Sequence, residues 1–143
     1  MADKYLLLQA EKHNWGLIGP GDWNKTIWLI YSDRSYEKEI LYNRDREELK
    51  QIIEARDVHI KDLRELQRCV TRKGKIREKR FSDLQAVMAS EPWRDPEVNF
   101  AACDGVAWQI EEYDSEHKII HSSGDLGYIY GQPVLEAIVA HLP

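Results

Sequence analysis

The run TIWLIYS (26–32), joined by Asp33, Arg34 and Ser35 to YEKEILYN (36–43), constrains this chain more than any other feature. Both runs are rich in β-branched and aromatic residues, which suit a pleated surface. The short polar linker between them fits an antiparallel hairpin. Alternation along the first run sends Trp28 and Ile30 to one face and Leu29 and Tyr31 to the other. Bulky apolar groups on both faces belong to a strand that is central in its sheet or covered on both sides.

The flanking segments supply more strand and some helix. KYLLLQAEKHN (4–14) reads as a strand, although its three consecutive leucines blur the alternation. Gly16, Gly19, Pro20 and Gly21 punctuate 15–25 and make it a loop or a wide hairpin connection. From Asp45 the period changes. Leu49, Ile52, Ile53, Ile60, Leu63 and Val70 share one direction at helical spacing, which predicts helix over 45–70. Arg56 points into that stripe and Val58 away from it. The segment is either one helix with a snorkelling arginine or two helices broken near 55–59, and the break fits the pattern better.

Residues 71–80 read as a basic strand, or a turn and a strand. Ser82 and Gln85 have the spacing of a capping box, which opens a short helix with Leu84, Val87 and Met88 inward. Pro92 and Pro96 close it. Strands follow at 105–113, 117–122 and 127–130, with Val106, Trp108 and Ile110 facing the core. A last helix starts at Gln132 with Pro133 in its first position and buries Val134, Leu135, Ile138, Val139 and Leu142. These elements describe one α+β domain over 1–143, a mainly antiparallel sheet packed with three or four helices.

With 43% hydrophobic and 31% charged residues, the chain has the composition of a soluble globular protein. Its longest early apolar run, Tyr5 to Leu8, is too short to cross a bilayer or to form a secretory core, so no membrane contact and a cytoplasmic setting are expected. In that setting Cys69 and Cys103 are expected as free thiols, and their spacing fits no zinc pattern. The net charge of −5 is spread unevenly: −1 over 1–43, +5 over 44–80 and −9 over 81–143. Such polarity steers partners and does not decide the fold.

Several residues invite a chemical reading. Cys103 could serve as a nucleophile with His117 or His121 as base and Asp104 or Asp125 to orient it. A reactive thiolate needs a nearby cation or a helix N-terminus, and this is the most acidic third of the chain, where negative neighbours hold the proton on sulfur. No catalytic site is therefore assigned, and Cys103, His117 and His121 stand only as candidates. A metal shared by His117 and His121 fails on a strand, where residues four apart share a face but lie about 13 Å apart. No EF-hand spacing is present, and no metal or cofactor is expected. GLIGPG (16–21) leads into a strand and lacks the lysine and hydroxyl of a phosphate loop.

The basic run Arg68, Arg72, Lys73, Lys75, Arg77, Lys79 and Arg80 contains only Glu78 as counter-charge. A nucleic-acid reading places these cations on phosphates. No aromatic residue interleaves them to stack a base, and the acidic remainder of the chain repels a polyanion. The alternative is that the run complements the acidic C-terminal third within the fold.

Asp104, Gly105 and Trp108, followed by Gly127-Tyr128-Ile129-Tyr130-Gly131 and an amphipathic helix, give the C-terminal segment a recognisable pattern. Over residues 104–143 it resembles a loose group of small bacterial proteins whose tails run D-G-x-x-W, a hairpin and Y-I-Y-G. The resemblance implies a bacterial origin and a structural role for Trp108, Tyr128 and Tyr130. It implies no activity.

The function expected from the residues is non-enzymatic: a protein-binding, inhibitor or immunity-type protein that blocks a basic site, such as that of a nuclease or defence system, by charge complementarity. Its contacts would be the acidic C-terminal residues Glu111, Glu112, Asp114, Glu116 and Asp125, with Trp15 and Trp23 as aromatic anchors from the glycine-rich loop. One alternative is a small thiol- or metal-dependent enzyme or ligand-binding domain using 103–125. A further one is nucleic-acid binding through 68–80. No small-molecule substrate is predicted.

Overall fold

The computed structural model describes residues 4–14, 21–56, 67–90, 92–93, 106–124, 126–129 and 131–143. The described residues form six strands, β1 (Leu6–Asn14), β2 (Trp23–Tyr31), β3 (Ser35–Asn43), β4 (Gln67–Lys75), β5 (Val106–Tyr113) and β6 (Ile119–Ser122), and three helices, α1 (Arg46–Arg56) after β3, α2 (Glu78–Ser90) after β4 and α3 (Pro133–Ala140) after β6. The strands form one antiparallel sheet in the order β4-β3-β2-β1-β5-β6. The α+β class and the mainly antiparallel sheet are as the sequence predicts. Among the described residues, no helix is long and apolar enough to cross a membrane.

The hairpin of β2 and β3 forms as its pattern requires. Asp33 accepts hydrogen bonds from the main-chain N–H and the hydroxyl of Ser35, and those bonds hold its carboxyl below the usual aspartate range. Arg34 takes a left-handed φ of 76° and completes the tight reversal. β2 begins at Trp23 rather than Thr26, because Trp23 finds a cross-strand neighbour in Tyr42.

The three leucines of β1 have a specific explanation. Leu6 lies opposite Tyr31 and Leu8 opposite Ile30, so Leu7 is an extra residue in the ladder. A bulge of this kind turns two consecutive side chains toward one face. Leu7 and Leu8 are both buried in the core, which is why the run shows no clean alternation.

The core lies on one face of the sheet. Leu8, Ala10, Trp28, Ile30, Trp108 and Ile110 meet Phe81, Leu84 and Met88 of α2 and Leu135 and Ile138 of α3, with Ile76, Trp93 and Leu142 closing the edges. Two helix ends have a chemical start or stop. Asp45 accepts the Glu48 N–H at 2.8 Å and caps α1. At the other end of the chain, the Arg80 guanidinium donates to the main-chain oxygens of His141 (3.0 Å) and Leu142 (2.6 Å), just past α3. A cation there satisfies carbonyls that the helix leaves unpaired.

Four expectations need correction. Residues 67–70 are strand rather than helix: Val70 lies opposite Ile40 and Cys69 opposite Leu41, so β4 supplies the outer neighbour that β3 needs. Val70 fits the helical spacing from Leu63 by coincidence. Residues 57–66, where the helix break was expected, lie outside the described residues. Secondly, α2 starts at Glu78, before the expected capping box, and Ser82 sits exposed within it. The helix extends back because Phe81, Leu84 and Met88 recur on one face and all three are buried. Thirdly, of the strand expected at 127–130, residues 127–129 form only a bridge between Gly127 and Trp108, and Tyr130 lies outside the described residues. Finally, Val106 is exposed at the end of β5, while Trp108 and Ile110 face the core as expected.

Two predictions follow from this packing. Leu84→Ala and Ile138→Ala, both at fully buried sites, should each cost about 2–5 kcal/mol of unfolding free energy in urea titrations. Ser82→Ala should shift stability by less than about 0.5 kcal/mol, as for an exposed helical site, where loss of a true cap would cost about 1 kcal/mol.

Candidate functional site

The β5–β6 hairpin carries most of the residues that suggested chemistry. Its turn is built by Asp114, whose Oδ1 accepts the N–H groups of Glu116 (2.8 Å) and Lys118 (3.0 Å). The bond from Lys118, then that from Glu116, holds the Asp114 carboxyl below the ordinary aspartate range. His117 adopts a left-handed φ of 63° in the same turn, and its ring stacks on Tyr113 at 4.6 Å. His121 stacks instead on Trp93 at 5.2 Å and places Nδ1 2.7 Å from Glu112 Oε1. The two histidines thus serve opposite sides of the hairpin and do not converge. Among the described residues, no group of three or more His, Cys, Asp and Glu is placed to hold a metal ion. Cys103, Asp104 and Asp125 lie outside the described residues. Cys69 is a free, exposed thiol on β4.

Strand register divides the acidic C-terminal residues. Glu112 lies opposite Leu8 on the helix-bearing face, whereas Glu111 lies opposite Gln9 on the other. Glu116 is an exposed turn residue paired with Lys118 at 3.2 Å. Glu111, Glu112, Asp114 and Glu116 therefore do not share one surface.

What the sheet assembles around Glu111 comes from elsewhere in the chain. On the face away from α2 and α3, one cross-strand row reads Glu111, Gln9, Leu29, Glu37, Lys73. The neighbouring row reads Gln109, Glu11, Ile27, Glu39, Thr71. Ile27 and Leu29 are half-buried at the centre, with four carboxylates around them. Side-chain bonds order the rim: Gln9 donates to Glu11 at 2.9 Å and Gln109 to Glu111 at 3.1 Å. His13 Nε2 sits 3.2 Å from Glu11, and the Tyr113 hydroxyl donates to Glu111 at 2.7 Å. Burial, then the Glu111 carboxylate, pushes the Tyr113 hydroxyl up to about 12. Lys73 faces Glu37 at 3.5 Å. The sequence signal for this face was the alternation of Glu37 and Glu39 in one strand and the lone Glu11 in another.

The helix-bearing face has a different chemistry. Trp28 and Trp108 stack with centroids 5.6 Å apart. The Lys12 ammonium lies 4.7 Å from the Trp23 ring, 5.6 Å from Trp28 and 5.9 Å from Trp108, and burial lowers its pKa. Lys38 lies 5.2 Å from the Trp28 ring, and its pKa is lowered by burial and then by the charges of Lys12 and Arg72. Trp23 thus packs with Lys12 from within β2, rather than standing in an open loop. Trp15 lies outside the described residues.

The basic run is also split by register. Arg72 lies opposite Lys38 on the helix-bearing face and Lys73 opposite Glu37 on the other. The carboxylates nearest the run are Glu37 for Lys73 and, at 4.0 Å, Glu48 for Arg68. Among the described residues, no ion pair joins the run to the acidic C-terminal third. Lys75, Arg77, Lys79 and Arg80 instead line a cleft of about 680 Å³ with Tyr36, Ile76, Asp83 and Pro143. Comparison of the chain with known protein families, curated proteins and solved structures found no match.

Asp114 yields a pH prediction. Its folded-state pKa is depressed, so its contribution to stability is present above the unfolded value of about 4 and is lost as pH falls through the lower folded value. Asp114→Ala should be less stable than the parent at pH 6 and lose less stability on acidification from pH 4 to pH 2. Urea midpoints measured across that range give the comparison.

Proposed function

We propose that this chain is a protein-binding module of inhibitor or immunity type, acting in the cytoplasm, and that it engages a basic site on its partner through the sheet face away from α2 and α3. The observation that carries this reading is the arrangement of Glu11, Glu37, Glu39 and Glu111 around Ile27 and Leu29. An apolar centre with a charged rim is the usual anatomy of a specific protein interface. The centre supplies the desolvated contact, while the carboxylates steer a cationic partner and reject acidic ones.

The electrostatics favour the same face. Glu111 accepts hydrogen bonds from a neutral amide and a phenol, which order the carboxylate without cancelling its charge, while Glu11 accepts from the Gln9 amide and also faces His13 Nε2 at 3.2 Å. Lys73 offsets Glu37 from one side, at the outer edge of its row. The acidic residues emphasised by the sequence contribute Glu111 to this surface, and Glu112 belongs to the other face with His121.

The test compares the parent chain with a variant carrying both Glu11→Lys and Glu39→Lys, each used as bait in bacterial extract. The expected result is capture of a basic protein that elutes with salt, with at least a tenfold loss of affinity in the variant, about 1.4 kcal/mol. Hydrogen exchange of the complex should show new protection on β1, β2 and β3. An unchanged set of captured proteins in the variant, or protection confined to α2 and α3, would rule this face out.

A further inference from the structure

We infer that the cleft between β3, the start of α2 and the end of the chain is a binding site for a nucleoside polyphosphate, a second site separate from the proposed protein-binding face. Four cationic side chains line it, Lys75, Arg77, Lys79 and Arg80, against one side-chain carboxylate, Asp83. All four are exposed, and among the described residues none is within ion-pair distance of a carboxylate. Four like charges converging on one cleft repel each other, and an anion held among them relieves that repulsion. A volume of about 680 Å³ is within the range that small-molecule sites occupy.

The floor of the cleft is built rather than incidental. Tyr36 lies opposite Gly74, and a Cβ at Gly74 would stand 2.9 Å from the Tyr36 ring. Only glycine lets the ring lie against the β4 backbone, where it gives the cleft a flat apolar wall. Ile76 is buried beside it and is held from two directions: its N–H donates to the Arg34 main-chain oxygen at 2.8 Å, and its own oxygen accepts from Arg34 Nη1 at 3.3 Å. The Arg80 guanidinium is already fixed by the oxygens of His141 and Leu142. Its position therefore costs little further entropy when a ligand arrives.

This combination selects the ligand class. The cations suit two or three phosphates. The Tyr36 ring suits a base, since base–aromatic stacking is worth about 1–3 kcal/mol. The Asp83 carboxylate, an acceptor only, suits a sugar hydroxyl. The aromatic partner that the run 68–80 lacks in sequence is thus supplied across the strand pair by β3. A compact anion fits better than a long nucleic acid. Charge is screened over roughly 8–10 Å, so a small ligand feels mainly the four local cations. An extended polyanion meets a molecule of net charge −5.

Calorimetric titrations of the full chain with ADP, inorganic tripolyphosphate, adenosine and a single-stranded oligonucleotide test the assignment. ADP should bind saturably, more weakly as salt rises, and adenosine at least tenfold more weakly than ADP. Arg77→Ala with Lys79→Ala should weaken ADP and tripolyphosphate at least tenfold. Tyr36→Leu should weaken ADP several-fold and leave tripolyphosphate unchanged. On the unaltered chain, ADP should shift the NMR signals of residues 36, 74–83 and 143. The site is refuted if ADP shows no saturable binding at millimolar concentration, or if its shifts fall elsewhere. Tripolyphosphate binding as tightly as ADP would refute the nucleoside part. Oligonucleotide binding that ADP does not compete with would assign the cations to a polyanion surface instead.

Discussion

The stack of Trp28 on Trp108 is the contact on which the rest of the molecule depends. The two residues belong to β2 and β5, which are not neighbours, since β1 runs between them. The stack is possible because β1 offers Ala10 at that level, opposite Trp28 on one flank and Ile110 on the other, and fully buried. A larger residue there would hold the indoles apart. With alanine, the rings close over β1 at 5.6 Å and tie three strands into one layer. The Trp28 indole N–H then donates to the Pro143 main-chain oxygen at 3.0 Å, and Lys38 reaches the same atom at 3.3 Å. The last residues of the chain are thereby anchored to the middle of the sheet, which sets α3 beside α2.

Once that layer exists, every strand residue is assigned to one of two unlike faces. One face carries the indoles, the helices and the cations Lys12, Lys38 and Arg72. The other carries the amides and carboxylates around Ile27 and Leu29, with Lys25 and Lys73 beside them. Because side chains alternate away from the bulges, neighbours in sequence end up on opposite faces: Glu111 and Glu112, Arg72 and Lys73, Glu37 and Lys38. A run of like charge in the sequence is therefore a poor guide to a charged surface when the run is a strand.

This explains what could and could not be read beforehand. The β2–β3 hairpin, β5 and the closing helix were legible because local pattern and tertiary role agree there. Pro133, for example, starts α3 where a proline belongs. The Leu7 bulge, the extension of β4 back to Gln67 and the earlier start of α2 depend on neighbours distant in the chain. Val70 satisfies a helical spacing and a strand position equally, and only Ile40 across the ladder decides between them. The candidate sites were less legible still. The carboxylate face draws on β1, β2, β3 and β5, and Tyr36 meets the basic run only through the register that places it against Gly74.

The charge polarity of the chain finds its meaning in the strand order. Segment 44–80, at +5, contributes β4 and the start of α2, while the acidic C-terminal third contributes β5 and β6. A sheet that placed β4 next to β5 would let the two neutralise each other. The observed order puts β4 and β6 at opposite edges, separated by five strand spacings, about 24 Å at roughly 4.8 Å each. That is more than twice the screening length of about 8–10 Å at moderate salt. The basic edge and the acidic hairpin therefore neither neutralise nor strongly influence one another. Each of those two regions keeps its own field, whereas the carboxylates on β3 stand directly beside β4, where Glu37 pairs with Lys73 at 3.5 Å.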